Sequence, residues 1–244
     1  MASITKVLAI LDIFTQEKPL WTIEEIQDKF SFSQPQTYRY LKELCESRLL
    51  AKFKNYYMLG SKIIEFDATI RICDPLLTHS RVLLEKINQE YDMDAMLASM
   101  YGTNIITTAH ISGPESANIS FGRGVRLPLL AGANSKAVLS CLSRRHQIQA
   151  YNAALKMQEP LNVYHSQDDF LEQLKEIRKQ GFAISVEELG QEQACIALPF
   201  GSDINLPPSC ISVIMSKKRF QTTDAMLIVE ILKQARSEIL QKIH

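Results

Sequence analysis

Residues 22–59, TIEEIQDKFSFSQPQTYRYLKELCESRLLAKFKNYYML, contain two helix starts in close succession. Thr22 and Glu25 form a capping-box pattern, in which each side chain satisfies a free backbone N–H at the start of a helix. Ser33 is placed to repeat this capping at the start of a second helix, which we expect to run to about Ser47. The stretch therefore predicts two short helices separated by a tight turn.

A basic hairpin is predicted directly after the second helix. Leu50–Phe53 and Tyr56–Leu59 are short runs rich in apolar residues, and only Lys54 and Asn55 separate them. This spacing is typical of two strands joined by a two-residue turn. Helix, turn, helix and hairpin in this order predict a winged helix-turn-helix, whose second helix enters the major groove of DNA.

Positive charge is concentrated in the same stretch, although the whole chain has a net charge of zero. Between Ser33 and Lys62 there are six cations and two acids, which gives a local net charge of +4. A local basic surface indicates contact with DNA phosphates, whatever the total charge. We expect the polar residues of the second helix and the hairpin to contact DNA: Ser33, Gln34, Gln36, Thr37, Tyr38, Arg39, Lys42, Lys52, Lys54 and Asn55. The alternative is an ordinary solvated helix, or a helical hairpin that binds only proteins.

Length and composition limit the class of protein. The 244 residues have room for two small domains, and 46% of them are apolar, enough for a substantial core. We expect a soluble cytoplasmic protein without a membrane partner, because the sequence lacks a run of 18 apolar residues and a signal-peptide pattern. The five cysteines are scattered and form no C-x-x-C pair, so we expect reduced thiols, no metal site and no cofactor.

The chain divides into three predicted parts: a winged helix-turn-helix over residues 1–60, a helical linker over 61–74 and a second domain over 75–244. Asp74-Pro75 marks the second boundary, because aspartate suits a helix N-cap and proline the first helical position. The first helix is predicted from about Ser3 to Thr15. Its apolar stripe should pack on the other two helices and consists of Ile4, Val7, Leu8, Leu11 and Phe14.

The second domain alternates strands and helices. Apolar runs at Ala95–Tyr101 and Ile105–Ile111 predict a hairpin, and further strands are predicted at Phe182–Val186, Ala194–Phe200 and Cys210–Ser216. Helices are predicted at Asn134–Leu142, after the cap Ser166, and at Thr222–Ile243, where Leu227, Ile228, Ile231, Leu232, Ala235 and Ile239 form the apolar stripe. We predict an α+β domain, with helices packed on one sheet.

Two segments of this domain carry candidate chemistry. Residues 122–139 pass from a glycine-rich loop into a helix whose N-terminus suits an anion, although an ordinary capped helix explains the pattern equally well. Cys195 lies in an apolar strand, and the histidines are too dispersed to form a triad with it. A buried cysteine of this kind is usually inert, so we predict no catalytic residues.

The whole chain resembles the IclR family of bacterial transcriptional regulators. The resemblance rests on several short segments in a specific order: Thr5–Leu11, Tyr38–Leu44, Tyr57–Gly60, Arg126–Leu129, Lys136-Ala137, Ile177–Gly181, Glu187-Glu188 and Cys195–Pro199. It implies an N-terminal winged helix-turn-helix, a helical linker and a GAF-like α/β effector domain. It also implies homodimers or tetramers on palindromic double-stranded DNA operators, acting as repressors or activators.

The resemblance further implies a pocket for a small-molecule effector, such as an organic acid or a sugar-derived compound. The matching positions are Leu130, Ala133, Asn134, Ser135, Glu188, Cys195, Ser212 and Ile214. Glu192 stands where the family usually has a glycine, and a carboxylate there would disfavour an anionic effector if it pointed inward. Two rival hypotheses remain: an enzyme with an appended DNA-binding domain, and a regulator whose second domain only oligomerises.

Overall fold

The computed structural model describes residues 3–113, 122–160, 163–190, 192–200 and 206–243. Two compact units make up the chain, Met1–Asp74 and Pro75–His244. The ends of the predicted domains, at residues 1, 2 and 244, lie outside the described residues. Each unit has its own hydrophobic core.

The N-terminal unit is a small helical domain closed by a three-stranded sheet. A 3-10 turn over Leu11–Ile13 follows the first helix. The sheet is antiparallel with the order β1-β3-β2, and its first strand was not predicted from the sequence. The elements are α1 (Ser3–Ala9), β1 (Trp21–Thr22), α2 (Ile23–Phe30), α3 (Gln34–Glu46), β2 (Leu50–Phe53), β3 (Tyr56–Leu59) and α4 (Ser61–Cys73).

The two predicted helix starts differ in how they are capped. At α2 the capping box is complete: the Glu25 N–H donates to Thr22 Oγ1 at 3.3 Å, and the Thr22 N–H donates to Glu25 Oε2 at 2.8 Å. At α3 the helix begins where it was predicted, but the Ser33 side chain makes no capping hydrogen bond. Pro35 occupies the first turn and has no N–H to donate, which removes one of the usual partners of a capping side chain.

The prediction for the first helix was wrong in length and partly in its buried face. The helix ends at Ala9, and the tighter turn that follows changes the phase of the side chains. Ile10 and Ile13 consequently enter the core, with exposures of 0% and 7%. Ile4 and Leu8, predicted to be buried, are 69% and 52% exposed.

The C-terminal unit is a six-stranded antiparallel sheet of order β6-β5-β4-β9-β8-β7 with helices on both faces. The predicted α+β fold class is confirmed. The strands are β4 (Asp94–Tyr101), β5 (Asn104–Ile111), β6 (Arg126–Leu127), β7 (Ala183–Val186), β8 (Gln193–Phe200) and β9 (Ser209–Ser216). The helices are α5 (Pro75–Tyr91), α6 (Ala133–Ser140), α7 (Arg144–Lys156), α8 (Gln167–Gln180), α9 (Lys217–Thr222) and α10 (Ala225–Ile243).

Both faces of the sheet are buried, which explains why its strands are apolar throughout. Met96 belongs to the core beneath α6, α7 and α8, whereas its neighbour Leu97 belongs to the core beneath α5 and α10. The last predicted helix is divided, so α10 begins at Ala225. Leu227, predicted to be buried, is 56% exposed, and Val229 is buried instead. None of the described helices is long and apolar enough to cross a membrane.

Replacing the α2 cap should destabilise the N-terminal unit. We expect Thr22→Ala to lower its free energy of unfolding by about 1 kcal/mol, because an N–H of the first turn loses its acceptor. The fluorescence of Trp21, the only tryptophan, reports this unit during urea unfolding. Ser33→Ala is the matched control and should change the value by less than about 0.5 kcal/mol. Equal effects of the two substitutions would contradict the difference in capping.

Candidate functional site

The outer face of α3 is polar and exposed. Tyr40, Leu41 and Leu44 bury the inner face of the helix in the N-terminal core. Tyr38 is 61% exposed on the opposite face, and Arg39 is exposed beside it. This arrangement is the one expected of a recognition helix, because a helix that enters the major groove must present its side chains to solvent.

Most of the predicted DNA-contacting residues lie on this exposed surface or on the hairpin. Ser33, Gln34, Tyr38, Arg39, Lys42, Lys52, Lys54 and Asn55 are exposed, and Gln36 is partly exposed. The prediction that Thr37 contacts DNA was wrong. Its side chain is fully buried, and its hydroxyl donates to the Ser33 carbonyl at 3.1 Å. Thr37 lies on the same side of α3 as Tyr40 and Leu41, so its side chain is not available to DNA.

The cations in this region are not equivalent. Arg48 and Lys62 both pair with Glu65 of α4, each with an N···O distance of 2.7 Å. Lys42 lies 3.7 Å from Glu46, an exposed pair one helical turn apart. Three of the six cations therefore pair with two acids of the N-terminal unit, Glu65 and Glu46.

The other three cations lack a carboxylate partner among the described residues. Arg39 lies over the Tyr40 ring, with Cζ 5.4 Å from the ring centroid. Lys52 and Lys54 lie on the hairpin, each with Nζ 5.5 Å from the centroid of a neighbouring aromatic ring. The uncompensated positive charge is therefore located on the exposed part of α3 and at the hairpin. Phosphate oxygens would be suitable partners for it.

In the C-terminal unit, the most distinctive element is α6. All eight of its residues are buried. A buried helix has free N–H groups at one end and free C=O groups at the other, and each unsatisfied group carries a cost. At the C-terminal end Arg178 donates to the carbonyl oxygens of Ser140, at 2.7 Å, and Leu142.

At the N-terminal end of α6, partners come from strand β7 and from the turn between β7 and β8. The Gly132 N–H donates to Glu188 Oε2 at 2.8 Å, and the Ala133 N–H donates to Ser185 Oγ at 2.9 Å. Glu188 also accepts from Lys136 Nζ at 2.6 Å through its other carboxylate oxygen. A negative charge at a helix N-terminus is favourable, so one carboxylate satisfies both the helix end and a lysine that is only 7% exposed.

Gly132 is required at this helix start. Its φ of +87° lies in a region that residues with a Cβ rarely adopt. In addition, a Cβ at this position would lie only 2.5 Å from Leu189 Cδ1. The turn between β7 and β8 therefore packs directly on the backbone that starts α6.

A small cleft lies beside this helix start and opens to solvent. Five of the predicted effector-binding residues line it: Ala133, Asn134, Glu188, Cys195 and Ile214. Sequence reasoning missed the other lining residues, which are Ser185, Leu189, Gly190, Gln193 and Ala194. They lie on β7, on β8 and on the turn around Glu188 between these strands. The Glu187-Glu188 segment was therefore the sequence feature that could have indicated these lining residues.

The prediction was wrong for three effector-binding residues, which do not line the cleft. Leu130 is buried in the core, and its N–H donates to Glu159. Ser135 is fully buried and donates to the Pro128 carbonyl at 2.5 Å. Ser212 lies on the same sheet face as Ile214, where it pairs with Ala197 of β8, and is fully buried behind the cleft.

A helix-turn-helix domain followed by an α/β domain is an order typical of transcriptional regulators. Residues 3–52 match the model of the IclR helix-turn-helix domain, and residues 74–241 match that of the C-terminal domain of bacterial transcriptional regulators of the IclR type. The chain therefore belongs to the IclR family of transcriptional regulators, which confirms the resemblance.

Relatives of this family match along almost the whole chain. The HTH-type transcriptional regulator KipR of Bacillus subtilis is 24% identical over 99% of this chain and 96% of its own length. The p-hydroxybenzoate hydroxylase transcriptional activator of Acinetobacter baylyi is 22% identical, covering 91% of this chain and 83% of its own.

Solved structures show the same fold. A regulator of the IclR type from Silicibacter superposes with a TM-score of 0.81 at 19% identity, covering 99% of this chain and 96% of its own. An IclR homologue from Microbacterium hydrocarbonoxydans, solved with 4-hydroxybenzoate, superposes with a TM-score of 0.79 at 15% identity. The alignment covers 99% of this chain and 98% of that one.

Removing one of the uncompensated cations should weaken the contact with phosphates. For the full chain on a mixed-sequence DNA duplex, we expect Lys54→Ala to lower the affinity severalfold. The slope of log K against log salt should fall in magnitude by about one unit, the amount for one lost phosphate contact. Fluorescence anisotropy at several salt concentrations measures both quantities.

Lys175→Ala is the matched control for this prediction. Lys175 is an exposed lysine of α8 that pairs with Glu172, so its removal changes the net charge equally but in the other unit. We expect unchanged affinity and slope for this variant. If both variants had the same effect, total charge rather than the hairpin would determine DNA binding.

Proposed function

We propose that this IclR-family regulator binds an inverted-repeat operator as a homodimer or tetramer. In this proposal α3 contacts base edges and the hairpin contacts the backbone. The observation that carries it is the location of the uncompensated cations: Arg39 on the exposed face of α3, and Lys52 and Lys54 on the hairpin. An arginine in the major groove pairs with guanine, and a lysine outside the groove pairs with phosphate.

The second part of the proposal is that a small metabolite binds in the cleft beside α6 and changes the affinity for DNA. The cleft supports it, because it combines an apolar wall with a few polar groups that converge on it, as ligand sites usually do. The homologue solved with 4-hydroxybenzoate is consistent with a small organic molecule as the ligand.

Coupling between ligand binding in the cleft and DNA binding requires little free energy. A tenfold change in DNA affinity corresponds to about 1.4 kcal/mol, which is within the usual range for coupled binding sites. The ligand need only bind more tightly to one of two arrangements of the protein. Repression and activation follow from the same coupling with opposite signs.

Selection from a random duplex library with the full chain tests the DNA-binding part. We expect enrichment of an inverted repeat, because a symmetric oligomer presents two copies of α3. On the selected sequence, Arg39→Ala should lower the affinity about tenfold or more, whereas Lys175→Ala should leave it unchanged. The proposal would fail if selection enriched no sequence, or if Arg39→Ala bound as tightly as the unmodified protein.

A catalytic role for Cys195 is the rival hypothesis, and its environment argues against it. Burial raises the pKa of the Cys195 thiol to about 12, so the reactive thiolate is scarce near neutral pH. Cys210 is also fully buried, and burial raises its pKa well above the usual value. Cys73, in contrast, is exposed on α4.

These environments predict a clear order of thiol reactivity. When the folded protein is treated with iodoacetamide near pH 8, Cys73 should be modified first. Cys195 and Cys210 should react only on unfolding, because both burial and a raised pKa protect them. Peptide mass spectrometry over time measures the three rates. Rapid modification of Cys195 in the folded protein would revive the enzyme hypothesis.

A further inference from the structure

The hairpin of β2 and β3 has an apolar outer face that is exposed. Directly opposed residues of two strands lie on the same face of a sheet, and the face alternates along each strand. Leu50 and Tyr57 lie on the inner face and are buried in the core of the N-terminal unit. The outer face carries Phe53 and its cross-strand partner Tyr56, which are 62% and 43% exposed, and also Met58.

The two aromatic side chains are held at the free end of the hairpin. Phe53 and Tyr56 are the last pair before the turn, and only Lys54 and Asn55 separate them. The buried Tyr57 anchors the strand that follows the turn, so the tip is presented on a fixed support. Two aromatic side chains exposed together are informative, because each gains free energy when a partner buries it.

The charge of the hairpin favours DNA as this partner. Residues 50–59 contain Lys52 and Lys54 and no acid. Lys54 Nζ lies 5.5 Å from the centroid of the Phe53 ring, so a cation accompanies the exposed ring. Proteins that bind the minor groove combine basic and amide side chains along the groove with apolar side chains inserted between base pairs. The tip, Phe53-Lys54-Asn55-Tyr56, has both kinds of residue.

We propose that Phe53 is a wedge that enters the minor groove beside the half-site bound by α3 and partly unstacks one base step. This proposal rests on the proposed DNA-binding function and adds to the phosphate contacts of the hairpin lysines. Pyrimidine–purine steps are the easiest to kink. The hairpin therefore selects a TA or CA step at that position through the deformability of the duplex, without a hydrogen bond to a base.

The shape of the bound DNA is a better measure of this role than affinity. Burial of the ring lowers the free energy of the complex, but unstacking a base step raises it by a similar amount. The net change in affinity is consequently small. Unstacking and bending, in contrast, report the inserted side chain directly.

Fluorescent duplexes containing the operator selected by the full chain measure both effects. 2-Aminopurine, placed in turn at each adenine flanking a half-site, becomes brighter when its neighbours unstack. Energy transfer between dyes at the two duplex ends measures the bend. We expect the unmodified protein to brighten 2-aminopurine at one step beside each half-site and to bend the duplex by about 20° or more.

Substitutions at the tip test the residue itself. Phe53→Ala should abolish the increase in fluorescence and reduce the bend, and Phe53→Leu should retain part of both, because leucine also acts as a wedge. Tyr101→Ala is the matched control. Tyr101 is likewise an exposed aromatic residue beside a two-residue hairpin turn, but it lies on β4 in the other unit. Its replacement should leave the fluorescence and the bend unchanged.

Three results would overturn the proposal. The unmodified protein could bind the operator without unstacking any step, or Phe53→Ala could unstack and bend the duplex as much as the unmodified protein. Phe53→Ala could also change the oligomeric state in sedimentation while the DNA shape stays the same, which would make the tip a contact between protein chains. All three leave the proposed DNA-binding function intact, whereas failure of the unmodified protein to bind DNA would remove both.

Discussion

The fully buried helix α6 imposes the constraint on which the C-terminal unit depends. Because all eight of its residues are inside the protein, both helix ends need partners from elsewhere in the chain. Arg178 supplies them at one end, and Glu188 and Ser185 supply them at the other. These contacts fix the turn between β7 and β8 against the helix start, and the cleft lies between them.

The same contacts pair the charges at the start of α6 within the protein. A helix N-terminus beside a lysine would normally attract an anion, but here the protein's own carboxylate has taken that position. In the N-terminal unit, by contrast, some cations have no carboxylate partner among the described residues. Glu65 and Glu46 offset some of the cations, while Arg39 and the hairpin lysines keep their charge exposed. The start of α6 thus has its charge paired within the protein, whereas α3 and the hairpin keep cations without a carboxylate partner among the described residues.

Features set by neighbouring residues were predictable from the sequence, and features set by distant contacts were not. The Thr22 capping box, the hairpin and most strands follow from local patterns. The first helix was predicted too long because a 3-10 turn follows it, and this turn brings Ile13 into the core. The burial of Thr37 was missed because its helical face was misassigned. Glu188 was named as a site residue only through the family resemblance. Its partner Lys136 is 52 positions away, so no local pattern could reveal that the pair neutralises the site.

In the proposed function, ligand binding in the cleft is coupled to DNA binding by α3. The most direct test is to measure the affinity for the selected operator with and without a cleft ligand, and the affinity for that ligand with and without operator. Thermodynamic linkage predicts that both affinities change by the same factor, which we expect to be about tenfold. A ligand that saturates the cleft, as shown by its sensitivity to Glu188→Gln, and yet leaves the operator affinity unchanged would contradict the account.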